Sequence, residues 1–123
     1  MSKRKRVRRV EELVREIISE KLIRDLNIPN IGRLSLTRVE MTPDLKLAKV
    51  YFSMFGTDEE KEQLFASVKS HKKEIRWLLG SELDIKFVPE LQFLIDESLE
   101  KAARINELIR EIHQDEENQD PDA

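Results

Sequence analysis

The chain has 123 residues, a formal net charge of −3 and no cysteine, and 38% of its residues are charged. This length fits one domain with a single modest core. Without cysteine there is no disulfide framework, thiolate nucleophile or Cys-based zinc site, which agrees with a reducing cytosol. No run of 18 apolar residues occurs, and no apolar stretch follows the basic N-terminus. We therefore expect a cytoplasmic protein with no signal peptide, no transmembrane helix and no membrane partner.

The charge is unevenly distributed along the chain, because six of the first nine residues are basic. Arginine and lysine side chains at a terminus bind phosphates by displacing counterions, and arginine can do so with two hydrogen bonds. Charge alone leaves two interpretations equal: a phosphate-binding arm, or the basic start of a helix. The residues concerned are Lys3, Arg4, Lys5, Arg6, Arg8 and Arg9.

The first predicted element is a helix over residues 7–26. Its apolar residues recur at steps of three and four and mark one face. Pro29 and Gly32 follow it and indicate a loop. The face comprises Val7, Val10, Val14, Ile17, Ile18 and Leu22.

Two strands, at residues 33–41 and 46–55, are predicted to form a β-hairpin. Thr42, Pro43 and Asp44 between them are typical turn residues. The apolar phase shifts within the first strand, so we expect a bulge or a twist near Arg38. The second strand alternates cleanly, and its predicted core face is Ala48, Val50, Phe52 and Met54.

The next helical region covers residues 58–83 and begins after a cap at residues 56–58. Its middle, residues 69–74, is polar, which is compatible with one helix or with two helices that meet at a kink. A third strand is predicted over residues 84–95, where Pro89 indicates an edge, a bulge or an interruption. The odd-numbered apolar residues of this strand are predicted to share a face: Ile85, Phe87, Leu91, Phe93 and Ile95.

The last predicted helix starts at Asp96 or Ser98 and ends by His113. Five acids and no base follow, which is typical of a disordered acidic tail. We predict a flexible basic arm at residues 1–6, one folded domain at 7–113 and the tail at 114–123. The apolar residues of this helix are Leu99, Ala102, Ile105, Leu108, Ile109 and Ile112.

The element order predicts a single α+β domain with a three-stranded sheet and helices on one face. The order α-β-β-α(kinked or two helices)-β-α is that of the type II K-homology fold, which binds single-stranded nucleic acid through a Gly-x-x-Gly clamp. That motif is missing, since Gly32, Gly56 and Gly80 lie far apart.

Several short segments in fixed order resemble the ribosome-binding factor A family over about residues 6 to 110. The resemblance implies a K-homology-like RNA-binding domain in which an Ala-x-Gly kink replaces the glycine clamp. The segments are Arg9-Val10, Val39-Glu40-Met41, Asp44-Leu45, Ala48-Lys49-Val50-Tyr51, Ile75-Arg76, Leu78-Leu79-Gly80, Val88-Pro89-Glu90-Leu91-x-Phe93, Asp96, Ser98, Arg104-Ile105 and Leu108.

The sequence departs from this family at the kink, where His71, Lys72 and Lys73 replace Ala-x-Gly. One interpretation is a straighter junction, because lysine prefers helix to the conformations that glycine permits. The other is a kink held by tertiary packing, with added positive charge where the family meets RNA. The second is slightly favoured.

The resemblance implies a monomeric ribosome biogenesis factor that binds immature small (30S) subunits and their 16S rRNA. It further implies assistance in late maturation near the rRNA 5′ end and growth in the cold. Besides the arm, the candidate RNA contacts are Arg38, Lys46 and Lys49 on the hairpin and His71, Lys72, Lys73 and Arg76 at the junction. Arg76 and Arg104 are equally compatible with surface ion pairs, and Tyr51 and Trp77 are expected to serve packing.

An enzyme is not expected, because no catalytic triad, phosphate loop or dinucleotide fingerprint is present. We predict no cofactor, no metal and no small-molecule substrate, since His71 and His113 are the only histidines. The alternative from another class is a protein–protein adaptor or dimerising α+β module whose basic arm contacts an acidic partner.

Overall fold

The computed structural model describes residues 3–84 and 86–118. Four helices, one short 3₁₀ helix and three strands make up this part of the chain. In order they are α1 (Lys3–Arg24), the 3₁₀ helix (Ile31–Arg33), β1 (Leu34–Met41), β2 (Leu47–Met54), α2 (Asp58–Ser70), α3 (Lys72–Glu82), β3 (Glu90–Ile95) and α4 (Ser98–Asn118). This order confirms the predicted α+β fold.

The sheet has the order β1-β2-β3, with β1 and β2 antiparallel and β2 and β3 parallel. The predicted hairpin is confirmed: the Thr42 hydroxyl donates to Asp44 Oδ1 at 2.6 Å, and the Lys46 backbone N–H donates to the same oxygen at 3.1 Å. These hydrogen bonds lower the pKa of Asp44. The register shifts between Leu36 and Arg38, which confirms the predicted bulge.

The core lies between one face of the sheet and helices α1, α2 and α3. The predicted face of β2 is buried throughout, because β2 is the central strand. The rings of Phe52 and Phe93 meet edge to face, with centroids 5.3 Å apart. The helices contribute Val14, Ile17, Ile18 and Leu22 from α1, Leu64 and Val68 from α2, and Ile75 and Leu79 from α3.

The predicted N-cap of α2 is present as a capping box. The Thr57 side chain accepts a hydrogen bond from the Glu60 backbone N–H at 3.2 Å, and the Glu60 carboxylate accepts one from the Thr57 backbone N–H at 3.2 Å. Arg33 also forms an ion pair with Glu60. The start of α2 is therefore tied to the 3₁₀ helix before β1.

The third strand is shorter than predicted. It begins at Glu90, so Pro89 precedes the strand and the predicted interruption at this proline is confirmed. Leu91, Phe93 and Ile95 share one face of β3 as predicted, with Leu91 and Phe93 buried and Ile95 exposed at the strand end. Phe87 lies before the strand and is exposed, so its predicted place on that face was wrong. Ile85 lies outside the described residues.

The terminal helices also differ from their predicted bounds. Helix α1 starts at Lys3, so the described part of the predicted arm is helical, and it ends at Arg24. Helix α4 runs to Asn118, through the first five residues of the predicted tail. The predicted apolar face of α4 is not buried, because Ile105, Leu108 and their described neighbours on this helix are all exposed. A 2.5 Å ion pair joins Glu100 to Lys61 of α2.

Candidate nucleic-acid interface

The junction between α2 and α3 consists of one residue, His71. Its backbone angles of φ −95° and ψ 10° leave the helical path. Its N–H donates to Val68 O at 3.1 Å, and its carbonyl accepts from the Ile75 N–H at 2.9 Å, so it ends one helix and begins the next. Val68 and Ile75 on either side are buried. Packing thus holds a break here without glycine, which agrees with the kink in the second of the two interpretations; the contact of this charge with RNA stays a prediction.

The His71 imidazole contacts the backbone at the end of α2. Its Nδ1 lies 2.7 Å from the carbonyl oxygen of Ser67, one turn earlier in α2. The Ser70 hydroxyl donates to the same carbonyl at 2.6 Å. These contacts satisfy a carbonyl that the helix end leaves without its usual partner. The side chain predicted to contact RNA therefore first supports the junction.

Lys72 and Lys73 project from the junction and are exposed. Lys72 Nζ lies 5.8 Å from the centre of the Phe93 ring. Lys69 on the preceding turn is also exposed. Among residues 3–84 and 86–118, none of these three lysines forms an ion pair. Their ammonium groups are accessible to an external anion.

Arg76 has partners of its own. Its Nε donates to Pro89 O at 3.0 Å, and Nη2 donates to Val88 O at 2.9 Å. Nη2 also lies 3.2 Å from Glu90 Oε1. Of the two interpretations left open by the sequence, the geometry supports a structural one, since Arg76 fastens the segment before β3 to α3.

The predicted basic arm forms the first turns of α1. Arg4, Arg6, Arg8 and Arg9 are exposed and form no ion pair within the described part of the chain. Lys5 is exposed and has an interaction partner. The side chain of Lys3 lies outside the description. The helix dipole disfavours positive groups at a helix N-terminus. An anion bound there would be stabilised by the dipole and by the arginine side chains together.

The arm borders the hairpin. Arg4 and Arg8 line a shallow groove with Met41 and Pro43. The Glu11 carboxylate closes one side, where it accepts a hydrogen bond from the Met41 backbone N–H at 2.7 Å. Lys73 at the α2–α3 junction lines other grooves than those lined by Arg4 and Arg8, and no ion pair between described residues joins the two clusters. The predicted cations therefore form separate surfaces.

The three predicted hairpin cations lie in different settings. The Arg38 guanidinium stacks 4.1 Å from the Tyr51 ring centre and lies 3.2 Å from Glu40 Oε1. Lys49 pairs in register with Glu40 on the sheet face opposite the helices. Lys46 is exposed in the turn. Arg38 and half-buried Tyr51 thus stabilise each other, which agrees with the packing role expected for Tyr51.

Asp96 anchors the start of α4 to the sheet. Its Oδ1 accepts a hydrogen bond from the Ser98 N–H at 2.9 Å, and its Oδ2 accepts one from the Thr37 hydroxyl at 2.8 Å. Hydrogen bonds from Ser98, then from Thr37, and the nearby Arg38 charge lower the pKa of Asp96 to about 2. This contact at the helix start fits the predicted capping role.

Trp77 was predicted to serve packing, and the structure shows otherwise. The indole is 73% exposed on the outer face of α3. It lines a groove with Lys73 and with Phe87, which is 72% exposed. The signal was present in the sequence: Ile75 and Leu79 define the buried face of α3, and residues 73, 77 and 80 fall on the opposite one.

Among the described residues, no group of three or more His, Asp or Glu side chains is arranged to hold a metal ion. None of the described helices is both long enough and apolar enough to cross a bilayer.

Comparison with known proteins identifies relatives of this chain. A family model described as ribosome-binding factor A matches residues 6–109. The ribosome-binding factor A of Halothermothrix orenii is 38% identical over 116 residues, which cover 94% of this chain and 95% of that relative. That of Citrifermentans bemidjiense is 44% identical over 108 residues, covering 88% and 91%.

Solved structures share the fold. The crystal structure of ribosome-binding factor A from Thermus thermophilus superimposes with a TM-score of 0.66 at 17% identity, covering 75% of this chain and 97% of that one. A homology model of the Thermus factor, fitted into a cryo-EM map of a 30S complex, gives a TM-score of 0.59 at 19% identity, covering 72% and 93%. Since the family model spans most of the chain, and the first relative matches nearly all of it, this protein belongs to the ribosome-binding factor A family.

Proposed function

We propose that this protein is a cytoplasmic, monomeric assembly factor that binds immature small (30S) ribosomal subunits through their 16S rRNA. It assists late maturation near the rRNA 5′ end and supports growth in the cold. Family membership supports the proposal, as does the Thermus factor, whose homology model was fitted into a map of its 30S complex. The observation that carries the RNA contact is the set of exposed lysines at the α2–α3 junction, which have no ion-pair partner among the described residues.

We propose that two separate basic surfaces contact the phosphates of the rRNA. The junction surface comprises Lys69, Lys72 and Lys73, and the α1 surface comprises Arg4, Arg6, Arg8 and Arg9. Phosphate contacts of this kind position a protein on RNA without reading its sequence. Arg38 and Arg76 are engaged within the fold, so they contribute less to binding than the unpaired cations.

Co-sedimentation with purified small subunits tests this function. Replacing both Lys72 and Lys73 with alanine should weaken binding and leave the melting temperature nearly unchanged, because both side chains are exposed. Each lost phosphate contact to a single strand should also reduce the slope of log K against log salt by about 0.7.

A matched control removes two positive charges elsewhere. Lys101 and Arg110 are exposed on α4, outside both basic surfaces. Replacing these two with alanine changes net charge equally and should leave binding close to wild type. If the two double variants bind alike, the junction is not the RNA contact.

The adaptor or dimerising module that the sequence leaves open makes a different prediction. It requires a partner protein or a second copy, and no preference for small subunits. Sedimentation velocity should give the mass of one chain, about 14.5 kDa. A dimer mass together with no affinity for subunits at low salt would favour the alternative.

A further inference from the structure

An open groove runs along the outer face of α3, between this helix and the segment that leads to β3. Its volume is about 670 Å³, within the range of roughly 300 to 1,000 Å³ that ligand sites occupy. Trp77 and Phe87 are its aromatic residues. Lys73 and Lys86 are its cations that form no ion pair with another described residue. None of the described residues that line it carries a carboxylate.

The groove is held in shape by the fold. Arg76 donates hydrogen bonds to the carbonyls of Val88 and Pro89, which fixes the outer wall to α3. Gly80 permits the close approach, since a Cβ atom there would lie 2.7 Å from Val88 Cγ2. Phe87 therefore directly precedes two residues, Val88 and Pro89, that are fastened to α3.

Two large aromatic side chains are left in water here at a cost in free energy. Burying either one against a ligand would therefore be favourable. Lys86 Nζ lies 5.5 Å from the centre of the Phe87 ring. A cation beside an exposed ring suits a nucleotide, because the ring stacks on the base and the ammonium group pairs with the phosphate.

We propose that this groove binds unpaired nucleotides of single-stranded RNA, with bases stacked on Trp77 and Phe87 and phosphates held by Lys73 and Lys86. Double-stranded RNA does not fit this chemistry, because its bases are already stacked on each other. The proposal rests on the proposed function, and it adds a base-stacking site to a surface otherwise expected to contact phosphates. An acidic peptide is the competing ligand, and it enters the test as a probe.

The test uses the fluorescence of Trp77, which is the only tryptophan of the chain. Single-stranded hexa-adenylate is titrated into the full-length protein at low salt, and inorganic polyphosphate and hexaglutamate are titrated at matched charge. Hexa-adenylate should quench the indole in a saturable manner. Polyphosphate and hexaglutamate should bind more weakly. Equal or tighter binding of either probe would overturn the proposal.

The decisive variant is Phe87→Leu, which removes a ring and keeps the reporter. Loss of one stacked base should weaken hexa-adenylate binding by about tenfold, because base–aromatic stacking contributes directly to affinity for single strands. Phe55→Leu is the control, because Phe55 is also 72% exposed and lies outside this groove. Equal affinity of the two variants would overturn the proposal.

Parallel co-sedimentation separates this inference from the proposed function. If wild type binds small subunits and hexa-adenylate does not quench Trp77, the groove proposal is wrong and the assembly function stands. If wild type binds hexa-adenylate but not small subunits, the groove proposal stands and the assembly function fails.

Discussion

Replacing Gly80 with alanine should destabilise the protein, although alanine is the better helix former. Within a helix, alanine is favoured over glycine by about 0.8 to 1 kcal/mol. At this position, however, the new Cβ would lie 2.7 Å from Val88 Cγ2, well inside contact distance. Val88 is β-branched and stiff, and overpacking of this kind costs about 1 to 3 kcal/mol. The net loss in free energy of unfolding should be about 1 kcal/mol.

Urea unfolding followed by far-UV circular dichroism measures this loss. Gly32→Ala is the control, because a Cβ at Gly32 has no neighbour within 4 Å and the change should be small. In a Val88→Ala background the clash is removed, so Gly80→Ala should become stabilising by up to about 1 kcal/mol. If Gly80→Ala stabilises the wild-type background equally, Val88 does not pack against α3 as described.

The remaining predictions concern single contacts and use urea unfolding as their measurement. Arg76→Lys should cost about 1.5 to 3 kcal/mol, because lysine cannot donate to two carbonyls in the planar arrangement of arginine; no loss would show that these bonds do not fasten the segment before β3. Thr57→Ala should cost about 1 kcal/mol in free energy of unfolding through loss of the α2 cap, and no loss would contradict the capping box. The pKa of Asp96 is about 2 in the folded protein, against an ordinary value of 3.8. The contribution of this carboxylate to the free energy of unfolding is therefore present above about pH 4 and is lost as the pH falls from about 4 to 2. Asp96→Asn should flatten that part of the pH profile, and an unchanged profile would contradict the assigned hydrogen bonds.

Much of the fold follows from the periodicity of the sequence. Alternation along β2 predicts one buried face because successive side chains of a strand point to opposite sides of the sheet, and the bulge near Arg38 follows from the shift in apolar phase. Pro89 predicts the interruption before β3 because it cannot donate a ladder hydrogen bond. Family membership also confirms the prediction that the chain is not an enzyme.

Other features depend on contacts that periodicity does not contain. Helix α4 has an apolar pattern, yet Ile105 and Leu108 remain exposed, because a pattern specifies a face and not what covers it. Phe87 continues the alternation of β3 but lies before Pro89, outside the strand. Arg76 looks like any surface cation until its carbonyl partners are seen.

The sequence predicts which residues could contact RNA better than it predicts how they are arranged. Lys72 and Lys73 are exposed as an RNA contact requires, and the helix break at His71 survives without glycine. The α1 cations, by contrast, lie on a helix. The exposure of Trp77 was not predicted, because a lone aromatic residue in a small domain is more often buried.

We propose that this protein recognises free small ribosomal subunits through RNA. The most direct test is co-sedimentation at low salt with free small subunits and, separately, with complete ribosomes. The proposal predicts clear binding to free subunits, weaker binding to complete ribosomes, and loss of binding as salt rises. Absence of binding to free subunits at low salt, or equal binding to both particles, would contradict it.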